Sequence, residues 1–192
     1  MHAIPRRRLA AVAIAVSLTA PLALSVGGAA AGAATGSATS LASSTAPFCG
    51  ITWGSLPKAT SPGLQWTGNV VRTRYGQHTC YDRLVFDIAP GRGAVGYNVR
   101  YVNQVTGPGS GLPVPVAGGA RIQITINAPS TLAGTTTNFV GWRTFRQLKG
   151  LGSFEGYTDY GLGVRARLPM RVLVLTDADG GRRLVVDVAH RW

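Results

Sequence analysis

Lysine and acid are both scarce in this chain. Lys58 and Lys149 are the only lysines, and 7 acidic residues stand against 19 basic ones. No long Lys/Arg block of the kind that marks a nucleic-acid arm occurs, so nucleic acid is not an expected partner. No G-x-S-x-G is present, which removes the strained elbow that exposes a nucleophilic serine. Beyond His2, histidine is limited to His78 and His190, too isolated in the sequence to suggest a metal site or a general base. Asp82, Asp87, Glu155, Asp159 and Asp187 could in principle supply the paired carboxylates of a glycosidase. Yet Asp87 reads as an outward strand residue, as does Asp187, and Asp82 points to the opposite side from Asp87. Catalytic residues, metals and cofactors are therefore not expected.

Cysteine occurs only twice, at Cys49 and Cys80. Their meaning depends on compartment, which the N-terminus addresses. Arg6, Arg7 and Arg8 precede an apolar run from Leu9 to Val26, and small residues follow at Ala29-Ala30-Ala31 or Ala31-Gly32-Ala33. That order of charge, apolar run and small residues is a secretory signal peptide, assigned to residues 1–31. Export to an oxidising compartment makes Cys49 and Cys80 one candidate disulfide. It would close a loop of about 30 residues and contribute about 3–4 kcal/mol by loop entropy.

Without Arg6 to Arg8, 16 basic side chains face 7 acidic ones, a net charge near +9. Outside the cell such an excess favours anionic partners, among them wall polymers. Once the signal is cleaved, no membrane association is expected. Residues 32–47 are Ala, Ser, Thr and Gly apart from Leu41 and Pro47, with little to bury, the composition of a flexible linker. Residues 48–192 are long enough for one core.

Within that domain the periodicity is almost all β. Arg83-Leu84-Val85-Phe86-Asp87-Ile88 returns a hundred residues later as Arg183-Leu184-Val185-Val186-Asp187-Val188. Each copy places three apolar residues on one face and Arg, Val and Asp on the other. Arg and Asp within one copy lie about 13 Å apart, too far to pair. As antiparallel neighbours the copies would set Arg83 against Asp187 and Asp87 against Arg183. In separate sheets they would present two independent charged faces. Both arrangements are compatible with the pattern.

Further strands are expected at 69–74, ended by a turn at Tyr75-Gly76-Gln77, and around Tyr97, Val99 and Tyr101. Another covers 121–127, with Ile122, Ile124 and Ile126 inward and a wet outer face. The region 139–151 fits a strand or a short helix. Val164, Ala166 and Leu168 alternate with Arg165 and Arg167 as in a strand. Met170 to Thr176 is apolar on both faces and reads as a central, doubly covered strand. Asp179-Gly180-Gly181 is a hairpin turn. Gly91-Arg92-Gly93-Ala94-Val95-Gly96 has the letters of a dinucleotide fingerprint but opens a strand instead of a helix, so it is a turn. The expected fold is an all-β sandwich of two similar antiparallel sheets, with an internal pseudo-two-fold repeat as one reading.

One stretch combines groups suited to recognition. Around Ser153 to Gly163 the only glutamate, two tyrosines and an aspartate stand among glycines, and Arg165 and Arg167 follow. Tyr157, Asp159 and Tyr160 are candidates for stacking and hydrogen bonding, with Arg165 and Arg167 for anionic groups. The plainer alternative is a glycine-interrupted strand with ordinary solvent-facing residues.

Residues 83–88, 96–102, 152–156, 163–169 and 183–190, together with Cys49-Gly50-Ile51-Thr52-Trp53-Gly54-Ser55-Leu56, resemble the AMIN-like domain of secreted actinobacterial proteins. The resemblance covers nearly all of 49–192. It implies a β-sandwich without catalytic residues, related to the AMIN domains that bind peptidoglycan and localise envelope amidases and secretins. The expected partner is then peptidoglycan or an anionic wall polymer, and the expected location is secreted or wall-associated. The alternative is an interaction module or inhibitor acting on another exported protein.

Overall fold

Alternating apolar and polar residues make strands throughout the computed structural model, which describes residues 48–132 and 134–192. The signal peptide expected over 1–31 and the linker over 32–47 lie outside the described residues. A 3-10 turn at Phe48–Gly50 precedes the strands. In chain order these are β1 (Lys58–Ala59), β2 (Val70–Gln77), β3 (Tyr81–Ile88), β4 (Gly96–Val102), β5 (Val105–Thr106) and β6 (Pro113–Val114), then β7 (Ala120–Asn127), β8 (Thr136–Asn138), β9 (Phe145–Phe154), β10 (Tyr157–Val164), β11 (Met170–Thr176) and β12 (Arg182–Ala189). Six strands form one sheet in the order β1-β4-β7-β10-β9-β8, and four form a second in the order β11-β12-β3-β2. The short pair β5-β6 stands apart from both.

The two sheets share one apolar core. Leu84, Phe86 and Ile88 of β3 and Leu184, Val186 and Val188 of β12 meet Ile122, Ile124 and Ile126 of β7 and Tyr160 and Leu162 of β10. Phe86 and Tyr160 join the sheets ring to ring, 4.6 Å between centroids. The fold is thus an all-β sandwich, built from sheets of six and four strands.

The two copies of the repeat are antiparallel neighbours. β3 and β12 pair about Val85 opposite Val185, so that Arg83 faces Asp187 and Asp87 faces Arg183. A local pseudo-two-fold runs through that pair of valines and extends to the flanking strands. Arg72 of β2 faces Asp87, and its counterpart Arg171 of β11 faces Asp187. Both donate Nε–H to the facing carboxylate, at 2.7 and 2.8 Å. The second arginine on each aspartate breaks the symmetry. Asp187 takes two bonds from Arg83, at 2.7 and 2.9 Å, whereas Asp87 takes its two from Arg74. Arg183 turns to Asp177 instead, with Nε 2.7 Å from Oδ1 but not aligned as a hydrogen bond. A bulge between Val70 and Arg72 re-aims β2 and brings both of its arginines to Asp87.

Several local expectations change. β2 continues through Gly76 to Gln77, and the chain turns at residues 78–80. The 139–151 region is strand from Phe145 onward, with no helix. Phe139 and Trp142 precede that strand in a loop and pack their rings on Phe145. β10 ends at Val164, so 165–169 is connection. The largest correction concerns β11. It is an edge strand, not a central one, and Leu173, Val174 and Leu175 are exposed. Its apolar character on both faces has no second covering layer.

Cys49 and Cys80 form a disulfide, Cα atoms 6.4 Å apart. It pins the segment that enters the domain to the turn before β3. Trp53 follows, packing on Tyr81 and lying under the Arg171 guanidinium at 5.4 Å.

Candidate functional site

The outer face of the six-stranded sheet carries the features that could receive a ligand, and it is not simply wet. The chain from Asn103 to Ala117 folds back over it as a strap that includes β5 and β6. Two glycines of β10 make this close approach feasible. A Cβ on Gly161 would lie 2.9 Å from methyl groups of Val105 and Val116, and one on Gly163 would collide with the Ala117 carbonyl oxygen. Val105 and Val116 are buried as a result. Three side chains of the sheet tie the strap down. Gln123 accepts from the Thr106 N–H and donates to the Thr106 carbonyl, Gln147 accepts from the Ala117 N–H, and Arg121 donates to the Val116 carbonyl.

Beside the strap lies an open cleft of about 770 Å³. Its apolar wall is Val105, Val114 and Val116 with Pro113 and Pro115. Its polar groups are Asn103, Gln104, Arg121, Gln147 and Lys149. A second hollow of about 270 Å³, lined by Tyr101, Asn103, Arg121 and Arg167 among others, shares Asn103 and Arg121 with the first. The two adjoin at Asn103 and Arg121, and together they make a groove lined by Lys149 in the first hollow, Arg167 in the second and Arg121 in both.

Arg167 is held in place by its surroundings. Its guanidinium lies 4.8 Å over the Tyr101 ring and donates to the Ser55 carbonyl. The Tyr101 hydroxyl donates to the Leu168 carbonyl at 2.6 Å and accepts from the Leu168 N–H. Burial pushes that hydroxyl above its usual range, against the Leu168 backbone bond and the Arg167 charge. Arg165, nearby in sequence, donates to the carbonyls of His190 and Arg143. Among the described residues none of Arg121, Lys149, Arg165 and Arg167 has a carboxylate partner; the ion pairs gather on the other sheet, where Asp87, Asp187 and Asp177 take Arg72, Arg74, Arg83, Arg171 and Arg183. The positive charge along the groove is uncompensated.

The five residues singled out from sequence do not converge. Tyr157 is partly exposed at the start of β10, opposite Phe154. Arg165 lies beyond the other end of that strand, eight residues or about 26 Å along. Asp159 is largely covered on the outer face, where the Thr125 hydroxyl donates to it. Tyr160 is fully buried in the core, which leaves it no surface for a ligand. Arg165 and Arg167 are presented to solvent, and Arg167 lines the groove. Arg121, Lys149 and the strap were not singled out from sequence. The available signal was the Gly161/Gly163 alternation, which leaves a trough along one strand face.

His190 and Asp82 have a structural setting. His190 Nε2 is 3.1 Å from Asp82 Oδ1, while Oδ2 accepts the backbone N–H groups of Thr144 and Phe145. The pair fastens the C-terminal segment and the start of β9 to β3. Among the described residues the His190 ring bonds only Asp82 and the Thr79 carbonyl.

A family model described as the AMIN-like domain matches residues 68–190, most of the sandwich. The chain belongs to the AMIN-like family. The match begins after Cys49, so the disulfide ties a segment outside it to the domain. No curated protein and no solved structure matches the chain. AMIN-like domains are modules of the cell envelope, in general extracytoplasmic. No helix among the described residues is long and apolar enough to cross a membrane.

Proposed function

We propose that this AMIN-like chain is a secreted, non-catalytic wall module that binds peptidoglycan or an associated anionic wall polymer through the groove beside the strap. One observation carries the reading: Lys149, Arg121 and Arg167 line two adjoining hollows, and none is engaged by a carboxylate among the described residues. The apolar wall of valines and prolines suits the faces of sugar rings or short aliphatic side chains, and the amides of Asn103, Gln104 and Gln147 suit hydroxyl and amide groups. Of the residues chosen from sequence, Arg167 belongs to this site and Arg165 adds charge in the same connection. Tyr157 is available only as a separate aromatic contact. The alternative, a module acting on another exported protein through a mainly apolar interface, predicts binding that salt hardly weakens.

The test uses protein exported after expression of the full chain. It is incubated with isolated peptidoglycan sacculi at low and moderate salt, and the sedimented protein and any released muropeptides are measured. Sedimentation that falls with salt and releases nothing is expected. Combining Arg121→Gln, Lys149→Gln and Arg167→Gln should remove most of it without changing the thermal unfolding midpoint by more than a few degrees. Undiminished sedimentation of that variant would discard the groove.

A further inference from the structure

We propose that β11 is the pairing edge of a symmetric dimer, with β11 of a second copy as its occupant. The four-stranded sheet ends at β11. The Met170 N–H points away from β12 and donates to the Gly54 carbonyl at 2.9 Å, which closes the edge at that residue. Backbone groups alternate along an antiparallel strand, so those of Val172, Val174 and Thr176 also point outward. Among the described residues they meet no strand. At the far end the chain leaves the sheet at the Asp177–Gly181 turn. The open length is therefore Arg171 to Thr176.

Most edge strands are blunted by lysine, proline, a bulge or a covering loop. Over its open length this one has a single charge, Arg171, whose guanidinium is turned to Asp187, and it exposes Leu173 by 37%, Val174 by 40% and Leu175 by 37%. Its sequence is self-complementary. With Val174 opposite Val174 of the second copy, Val172 faces Thr176, and all three outward residues of each strand bond across the junction. In the same register Leu173 faces Leu175, twice by symmetry, so the apolar side chains at the middle of the strand meet apolar side chains. Arg171 and Asp177 come opposite one another at each end, but within each copy they are already paired with Asp187 and Arg183, so the apolar pairs carry the register. The second strand also ends where Gly54 begins, because the residue opposite Met170 is Ala178, already in the turn. The result is a continuous eight-stranded sheet through two copies.

Sedimentation velocity over a concentration series of the exported protein tests this. The wild type should shift from monomer to dimer as concentration rises. Val174→Lys brings two like charges together at the two-fold, about 5.5 Å between Cα atoms, and should weaken the dimer at least about tenfold. Val174→Glu should do the same. Because the residue faces itself, an equimolar mixture of the two variants should recover a dimer. The side chain is exposed, and unchanged thermal midpoints would show that each variant is folded. A wild type that stays monomeric overturns the proposal, whether the edge is bare or taken by a strand of another protein. So does a Val174→Lys protein that still dimerises, or a mixture that does not.

Discussion

Asp87 and Asp159 both stand on outward sheet faces, yet folding moves their carboxyls in opposite directions. Burial pushes each one up. At Asp87 the bonds from Arg74 and Arg72 outweigh burial and hold the carboxyl below the ordinary aspartate range. At Asp159 burial outweighs the Thr125 hydroxyl, the Arg100 charge and Gln123, and the carboxyl stays above that range. Asp87 therefore contributes stability above about pH 3.9, the unfolded value, and loses it as pH falls through its lower folded value. Asp159 has the opposite sign. Its folded form costs stability at neutral pH, and the cost is relieved as pH falls from its raised value towards about 3.9. Asp159→Asn keeps an acceptor for the Thr125 hydroxyl and removes the buried charge. Thermal unfolding followed by circular dichroism should give a higher midpoint for this variant at pH 7, with the gain fading towards pH 4. A loss at pH 7 would mean that the carboxylate is better held there than burial implies.

Among the elements, the strap is the one most exposed to a small change in sequence. It lies on β10 only because Gly161 and Gly163 lack side chains on that face. Gly163→Ala drives a methyl group into the Ala117 carbonyl and should cost about 1–3 kcal/mol as the strap shifts. Hydrogen exchange should localise the damage, with faster exchange at the Thr106 and Ala117 amides, which bond to Gln123 and Gln147, and little change in β3 or β12. Equal loosening everywhere would show that the strap folds as one unit with the core. The strap also marks the limit of what local pattern could reveal. β3, β4, β7 and the β11-β12 hairpin were legible because a period of two, ended by glycine or proline, is a local signal. The pairing of the two repeat strands was legible only as one of two arrangements, since opposite charges at matching positions say that strands can pair, not that they do. β11 was misread because an unbroken apolar run looks the same at a centre as at an edge. Arg165 and Arg167 were visible as a basic pair, but Arg121 and Lys149 join the site through register, which aligns β7, β10 and β9. No spacing in the chain encodes that.

For the whole molecule, the edge and the groove bear on one another. Antiparallel pairing of β11 places the two-fold perpendicular to the extended sheet. Both six-stranded sheets then lie on the same side of it, and their outer faces, each with a groove, point the same way. A flat polymeric surface such as a wall would be met by two sites at once. The second contact would be intramolecular, and overall retention could exceed that of one groove by a factor of about 100 or more. Opposed grooves would give no such gain on one surface. Val174→Lys should accordingly reduce retention on sacculi by at least about tenfold at moderate salt, although it touches no groove residue. An equimolar mixture with Val174→Glu should restore retention, since it restores the pair and leaves net charge per dimer close to that of the wild type. If each variant alone is retained as well as the wild type, single grooves suffice and the dimer has another use. If the lysine variant binds more tightly, added charge outweighs pairing, and the wall is recognised mainly as a diffuse anionic field. Measuring dimerisation and retention on the same samples separates these cases, because only the bivalent arrangement requires them to fall and recover together.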